Sequence, residues 1–203
     1  MRKSKTSYLR KIAGMLSLCL GLSACTEDFT PRPRGYFHLD FPERAYRTYD
    51  NKVCPCTFEY PVYAHIEQEE HFFDEQPEHP CWLNVNFPDY NATIYLSYKD
   101  VSTRARFEQV LGDSYKMTYK HSNKAEYIDE SMIEVPGKDI FGYVFEVGGD
   151  AASGVQFFVT DSTQHFLRGA LYFKVSPNSD SLQPAITFFQ KDMMHLIETL
   201  EWR

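Results

Sequence analysis

Two alternating runs separated by only four residues constrain the fold of this 203-residue chain more than any other feature. In the first, Trp82 to Phe87, Leu83, Val85 and Phe87 alternate with Asn84 and Asn86. In the second, Ala92 to Lys99, Ala92, Ile94, Leu96 and Tyr98 alternate with Thr93, Tyr95, Ser97 and Lys99. A period of two puts one set of side chains on the buried face of a strand and the other set on its polar face. Pro88-Asp89-Tyr90-Asn91 between them is turn chemistry. Four residues return the chain only to an antiparallel neighbour, since a parallel crossover needs a dozen or more. The chain is thus committed to a hairpin, which needs further strands or a helix to be stable in water.

The rest of the sequence supplies both. Tyr127 to Val135 reads as a short strand, and Ile140 to Val147 as a stronger one with Phe141, Tyr143, Phe145 and Val147 on one face. "GGDAASG" turns the chain into Val155 to Thr160, and His165 to Val175 follows until Ser176-Pro177-Asn178 ends it. Ser102 is placed to cap a helix beginning near Thr103, with Phe107, Val110 and Leu111 as its apolar stripe. Asp180 or Ser181 is placed to cap a final helix with Pro184 in its first turn. Ile186, Phe189, Met193, Leu196, Ile197 and Leu200 recur at helical spacing there, so that helix must face a sheet. This order predicts an α+β domain, a mainly antiparallel sheet covered by helices. It resembles a three-layer Mog1/PsbP-like sandwich, a likeness of topology that says nothing about activity.

The start of the chain sets its location. Arg2, Lys3, Lys5, Arg10 and Lys11 form a basic segment, followed by a mostly apolar run from Ile12 to Leu22, too short to span a bilayer comfortably. Leu22-Ser23-Ala24-Cys25 matches the bacterial lipobox. Residues 1–24 are expected to be a signal peptide, Cys25 the lipidated first mature residue, 25–35 a tether containing "PRPR", and 36–203 one domain. Acyl chains then hold the protein at a membrane, each buried methylene contributing about 0.8 kcal/mol. Cleavage leaves 179 residues and removes five charges, all basic, so the net charge falls from −7 to −12. Such acidity excludes nucleic acid as a partner, which requires a basic footprint. It also repels anionic headgroups, leaving the membrane contact to the lipid anchor. The expected location is the cell envelope, facing the periplasm. Thr26-Glu27-Asp28 reads as part of a polar tether, although some bacteria mark surface-exported lipoproteins with acidic residues in this place.

Export also sets the cysteine chemistry, because the destination is oxidising. Cys19 leaves with the signal peptide and Cys25 carries lipid, so Cys54, Cys56 and Cys81 remain. Cys54 and Cys56 are poorly placed to pair with each other across Pro55, and Cys81 is the better partner for either. A bridge closing the 27-residue span from Cys54 to Cys81 is worth roughly 3.5 kcal/mol in the chain-entropy model. His65, His71 and His79 lie near these cysteines, which raises a zinc reading, but the spacing matches no standard zinc pattern. The intervening "EQEEHFFDEQPEHP" reads as an acidic surface loop. No metal and no cofactor are expected.

One stretch, "TDSTQHFLRGALYF", holds Asp161, Ser162, His165 and Arg168 within eight positions. Strand parity puts His165 with Leu167, Leu171 and Phe173, and Arg168 with Phe166, Ala170 and Tyr172, so the two point apart unless a bulge intervenes near Gly169. Asp161, Ser162 and Thr163 then sit at a turn, where short polar side chains bond local backbone. Ser162 lacks a G-x-S-x-G context, and the expectation is a hairpin rather than a catalytic relay. "KHSNKAEY", with His121 and Lys124, is a second polar group that reads as a solvated connection or an anion contact. Tyr95, Tyr143 and Tyr172 lie on mixed strand faces, which suit a covering helix or a bound partner.

Several blocks carry a family likeness: "PRPRGYFHLDFPERAY", "CPCTFEYP", "CWLNVNFPDYNATIYLSYK", "KHSNKAEYI", and the closing run from "QFFVTDSTQHFLRGALYF" to "HLIETLEW". The chain resembles the GldD family of gliding-motility lipoproteins over nearly all of its mature length. The resemblance implies a lipoprotein required for gliding motility, working beside other gliding-motility lipoproteins and type IX secretion components, with no catalytic residues. It also favours pairing Cys54 with Cys81, while Cys56 departs from the family pattern, in which an aromatic residue is expected. The reading that follows is a non-enzymatic assembly or stability factor. The alternative is an extracytoplasmic ligand- or cell-wall-binding module using an aromatic sheet face.

Overall fold

The computed structural model of the protein describes residues 39–70 and 77–203. The expected signal peptide with Cys19, the lipidation site Cys25, Thr26-Glu27-Asp28, the tether and the boundary at residue 36 lie outside the described residues, as does His71. In chain order the elements are β1 (Tyr46–Tyr49), β2 (Cys56–Pro61), β3 (His65–Gln68), β4 (Trp82–Phe87), β5 (Ala92–Asp100), α1 (Arg104–Tyr119), β6 (Ala125–Glu134), β7 (Phe141–Gly149), β8 (Ser153–Thr160), β9 (His165–Phe173), α2 (Ser179–Thr199) and β10 (Glu201–Trp202). Seven strands form one sheet in the order β3-β4-β5-β9-β8-β7-β6, and β1-β2-β10 form a second, smaller one. Every strand pairing in both sheets is antiparallel. The α+β class follows from the alternating runs, as expected.

The two long hairpins meet where β5 pairs with β9, Ala92 opposite Phe173 and Asp100 opposite His165. The helices then cover opposite faces. Phe189, Met193, Leu196 and Ile197 of α2 share a buried cluster with Ile94, Leu96, Phe157, Leu167 and Leu171. Val110 of α1 lies in a second cluster with Val101, Phe145, Phe158 and Phe166, joined by Phe107, Leu111 and Tyr115. β8 lies under both helices, and all of its residues are buried. Such a strand cannot show a clean alternation, because both of its faces are core.

α2 also packs against the small sheet, whose Phe58 joins the same cluster. The Glu59 amide donates to Thr199 Oγ1 at 3.0 Å, and Phe41 stacks on Phe188 with ring centroids 4.3 Å apart. Cys54 and Cys81 form a disulfide, Cα atoms 5.0 Å apart. It fastens the approach to β2 to the residue before β4. Cys56 is a free, fully buried thiol, and burial pushes its pKa up to about 12.

The helix caps differ from the expectation. Thr103, not Ser102, caps α1, its hydroxyl accepting from the Arg106 amide at 3.3 Å. Asn178, not Asp180 or Ser181, caps α2, accepting from the Ser181 amide at 3.3 Å. Pro184 therefore lies inside the helix rather than in its first turn. The first cap lies one residue downstream of the expected one and the second two or three upstream, because the true cap is the last extended residue, and Ser, Thr, Asp and Asn are near-equivalent candidates until the backbone is known. Pro88–Tyr90 forms a 3-10 turn closed by Asn91 with φ +49°. Glu67 and Gln68, expected in the acidic surface loop, belong to β3 and pair with Asn84 and Leu83.

Candidate functional site

The orientation of β9 decides what its polar residues can do. Its pairing with β5 and β8 is regular through Gly169. Gly169 faces Phe157 across the strands, and a Cβ there would come within 2.1 Å of that ring. The glycine is therefore a close-packing residue, and no bulge reverses the parity. His165 and Arg168 point to opposite faces of the sheet.

On the α2 face, His165 is buried, its Nδ1 2.8 Å from Tyr98 Oη, and its ring stacks on Trp202 at 5.0 Å. Asp161 serves the hairpin tip. Its Oδ1 accepts from the amides of Thr163, Gln164 and His165 at 3.0, 2.9 and 2.8 Å, and Oδ2 accepts from Thr163 Oγ1 at 2.7 Å. Burial raises its pKa, but these donors prevail and hold the carboxyl below its ordinary value. Ser162 occupies the turn with φ +64°. Asp161, Ser162 and His165 thus make local turn and packing contacts: Asp161 meets His165 at its backbone amide, while the imidazole bonds Tyr98.

On the α1 face, Arg168 donates from Nη2 to Gln156 Oε1, which also accepts from Thr118 Oγ1 at 3.2 Å. Gln156 is fully buried, and its Nε2 has no hydrogen-bond partner among the described residues. Burial pulls the Arg168 pKa below its usual value, with Tyr172 acting in the other direction. His121 belongs to a 3-10 turn, Lys120–Asn123, between α1 and β6. Burial first, and the Arg168 charge second, lower its pKa. Its ring lies 6.4 Å from that of Tyr172, which meets Tyr95 edge-on at 5.6 Å. Lys124 is exposed. Of the five polar residues singled out in the sequence, His121 and Arg168 come together, while Asp161 and His165 do not join them.

The sheet face beside Arg168 is polar. Asn84 donates to Glu69 at 2.8 Å, Asn86 to Glu67 at 2.9 Å, and Thr93 to Asn86 at 2.9 Å. A shallow depression of about 400 Å³ lies here, lined by His65, Glu67, Asn84, Tyr95 and Lys174 among others. Tyr143, by contrast, lies under α1 against Tyr115 and Phe158. The mixed face is thus covered by α1 over β7 and β8 and polar over β3 to β5. The closing helix α2 lies on the opposite face.

A buried acid escaped the sequence reading. Asp192 on α2 is 1 % exposed and accepts from Tyr63 Oη at 2.6 Å, Tyr46 Oη at 2.9 Å and Arg44 Nε at 3.3 Å. Burial raises its pKa, against the pull of these three donors. Desolvation and the neighbouring carboxylate push Tyr46 up to about 12 and Tyr63 higher still. Beside it, His195 Nε2 lies 2.7 Å from Glu59 Oε2 and its ring stacks on Tyr46 at 3.6 Å. The signal was available: Asp192 sits three residues after Phe189 and four before Leu196, within the apolar stripe. An acid in such a position demands donors.

The cysteine region makes no metal cluster among the described residues, and two of the three thiols are joined in the disulfide. No described helix is long and apolar enough to cross a membrane.

A mainly antiparallel sheet with a helix on each face, fastened by one disulfide, defines an α+β sandwich. Residues 26–202 match the family model described as gliding motility lipoprotein GldD, and the chain belongs to that family. It is a lipid-anchored protein of the cell envelope, associated with gliding motility. No curated protein sequence matches it. Among solved structures it is similar to the solution structure of cyanobacterial PsbP (CyanoP) from Synechocystis sp. PCC 6803, at 10% identity and a TM-score of 0.46, covering 80% of this chain and 95% of that one.

Proposed function

We propose that the protein is a non-enzymatic assembly or stability factor of the gliding and type IX secretion apparatus, held at the membrane by a lipidated Cys25 and facing the periplasm. The observation that carries this reading is the family match, which begins one residue after Cys25 and runs to residue 202. Support comes from the site geometry: Asp161 bonds turn amides, His165 packs between Tyr98 and Trp202, and Arg168 faces away from both. Contacts with other gliding-motility lipoproteins and type IX secretion components, rather than chemistry on a substrate, are then its work. Crosslinking of the tagged lipoprotein in living cells is expected to recover one apparatus lipoprotein at high yield. Deletion of the gene is expected to abolish motility and lower the level of that partner. Unchanged motility, secretion and partner levels in the deletion strain would sink the reading.

A further inference from the structure

We propose that Arg168, with Gln156, His121 and Tyr172 around it, is a binding site for a carboxylate group. A guanidinium keeps its charge at any physiological pH and only donates hydrogen bonds. Burying it without an anion is costly, since a neutral acceptor offsets only part of the desolvation. The other inward-packed or surface arginines mostly have one: Arg44 meets Asp192, Arg104 meets Glu108, Arg106 meets Glu78 and Arg203 meets Asp50. Arg47 has no acid, but it is exposed, donates to the Ala64 carbonyl and lies over Tyr60. Arg168 is half-buried, and its hydrogen-bond partner among the described residues is a neutral amide oxygen.

The second observation is the orphaned amide nitrogen. Because the guanidinium cannot accept, Gln156 must turn Oε1 toward Arg168 and Thr118. Its Nε2 is left buried without an acceptor, on the same carboxamide that touches the guanidinium. The guanidinium, bonded to a neutral oxygen, has further donors, and among the described residues Nε2 has no acceptor, which together is the complement of a carboxylate. Such a group takes two parallel bonds from a guanidinium and has lone pairs left for a third donor.

The charge balance narrows the ligand. The nearby acids on this sheet face, Glu67 and Glu69, are bonded to Asn86 and Asn84. His121 is held toward its neutral form by burial and by the Arg168 charge, and Lys124 is exposed. Arg168 is a half-buried cation of this face, whereas Lys124 and Lys174 are exposed, and the paired donors of one guanidinium match one carboxylate. Arg168, His121 and Tyr172 each keep part of their surface in solvent, so the site is reachable. The carboxylate can come from a small free acid or from the C-terminus of a peptide.

The test uses the full chain in detergent micelles and follows the Arg168 Nε–H signal by NMR. The probes are acetate, tetra-alanine with a free terminus, tetra-alanine amide and inorganic phosphate. Acetate and the free-terminus peptide are expected to move the signal saturably, and the amide to leave it still. Equal affinity for the two identifies a free acid as sufficient, whereas about tenfold tighter peptide binding identifies a chain terminus. Ser97 lies directly opposite Arg168 on β5, so Ser97→Asp supplies an internal carboxylate without removing the arginine. That variant is expected to weaken both probes by about tenfold or more and to raise Tm. No saturable shift with either carboxylate, tighter binding of phosphate, or unchanged affinity in Ser97→Asp would overturn the proposal.

Discussion

The two faces of the seven-stranded sheet are built to different standards. On the α2 face, the buried acid Asp192 has two tyrosines and an arginine, His165 has Tyr98 and Trp202, and the cluster reaches into the second sheet. On the α1 face, a smaller cluster of five buried residues sits beside a half-buried arginine with a neutral partner and an amide nitrogen with no acceptor among the described residues. The difference separates scaffold from candidate surface. A face that has satisfied its polar groups internally has nothing left to offer a partner, whereas an unsatisfied donor set is a local cost that a ligand can remove.

The comparison breaks first, and by most, at the α2 face. Phe189 is fully buried and touches the rings of Phe41, Phe87, Tyr90, Phe173 and Phe188. Phe189→Ala is expected to cost about 3–5 kcal/mol in denaturant unfolding, because the surrounding rings cannot all collapse into the space. A loss below about 1 kcal/mol would mean that this face is not the scaffold. Next comes the disulfide, whose removal in a Cys54→Ala, Cys81→Ala double variant is expected to cost about 2–5 kcal/mol. Cys56 is expected to stay unreactive to alkylating reagents in the native protein at pH 8, since burial keeps it protonated, and mass spectrometry reads this directly.

Two carboxylates sharpen the comparison through pH, with opposite signs. The folded pKa of Asp161 is lowered, so its stabilisation is present above the unfolded value near 3.8 and is lost as pH falls through the folded value. Asp161→Ala is expected to cost about 1.5–3 kcal/mol at neutral pH, the worth of hydrogen bonds to a charged acceptor, and less in acid. The folded pKa of Asp192 is raised, so its contribution is fully present below 3.8 and is lost as pH rises through the folded value. The stability of the native protein relative to Asp192→Asn should therefore fall from acid toward neutral pH, as read by unfolding midpoints across that range. A rise would show that Arg44 and the two tyrosines outweigh burial. The smallest effect belongs to the edge of the α1 face, where Thr103→Ala removes one cap and is expected to cost about 1 kcal/mol.

Much of the architecture was legible because periodicity survives wherever one face is core and the other is polar. β4 and β5 alternate in burial much as they alternate in sequence. The helical stripe from Phe189 to Leu200 is buried as read, although Ile186 is only partly covered. The short strands β1, β3 and β10 escaped notice, since two to four residues carry too few repeats to declare a period, and β2, as long as β4, escaped as well. Their partners lie far along the chain, as Trp202 opposite Cys56 illustrates. The candidate site was half legible: Arg168 and His121 were singled out, but Gln156 and Thr118 look like ordinary polar residues in the sequence.

By itself, the sequence determined the local terms: which segments alternate, where the chain must turn back, that His165 and Arg168 point apart, and that a lipobox precedes an acidic domain. These depend on bonds and spacings within a few residues. The tertiary structure alone decided which helix covers which face and which residues supply donors to Asp192. It also left Gln156 Nε2 without an acceptor beside Arg168. Those outcomes depend on what packs against a residue from more than a hundred positions away, as Asp192 meets Tyr63. Burial converts an ordinary polar side chain into either a satisfied strut or an open demand for a partner.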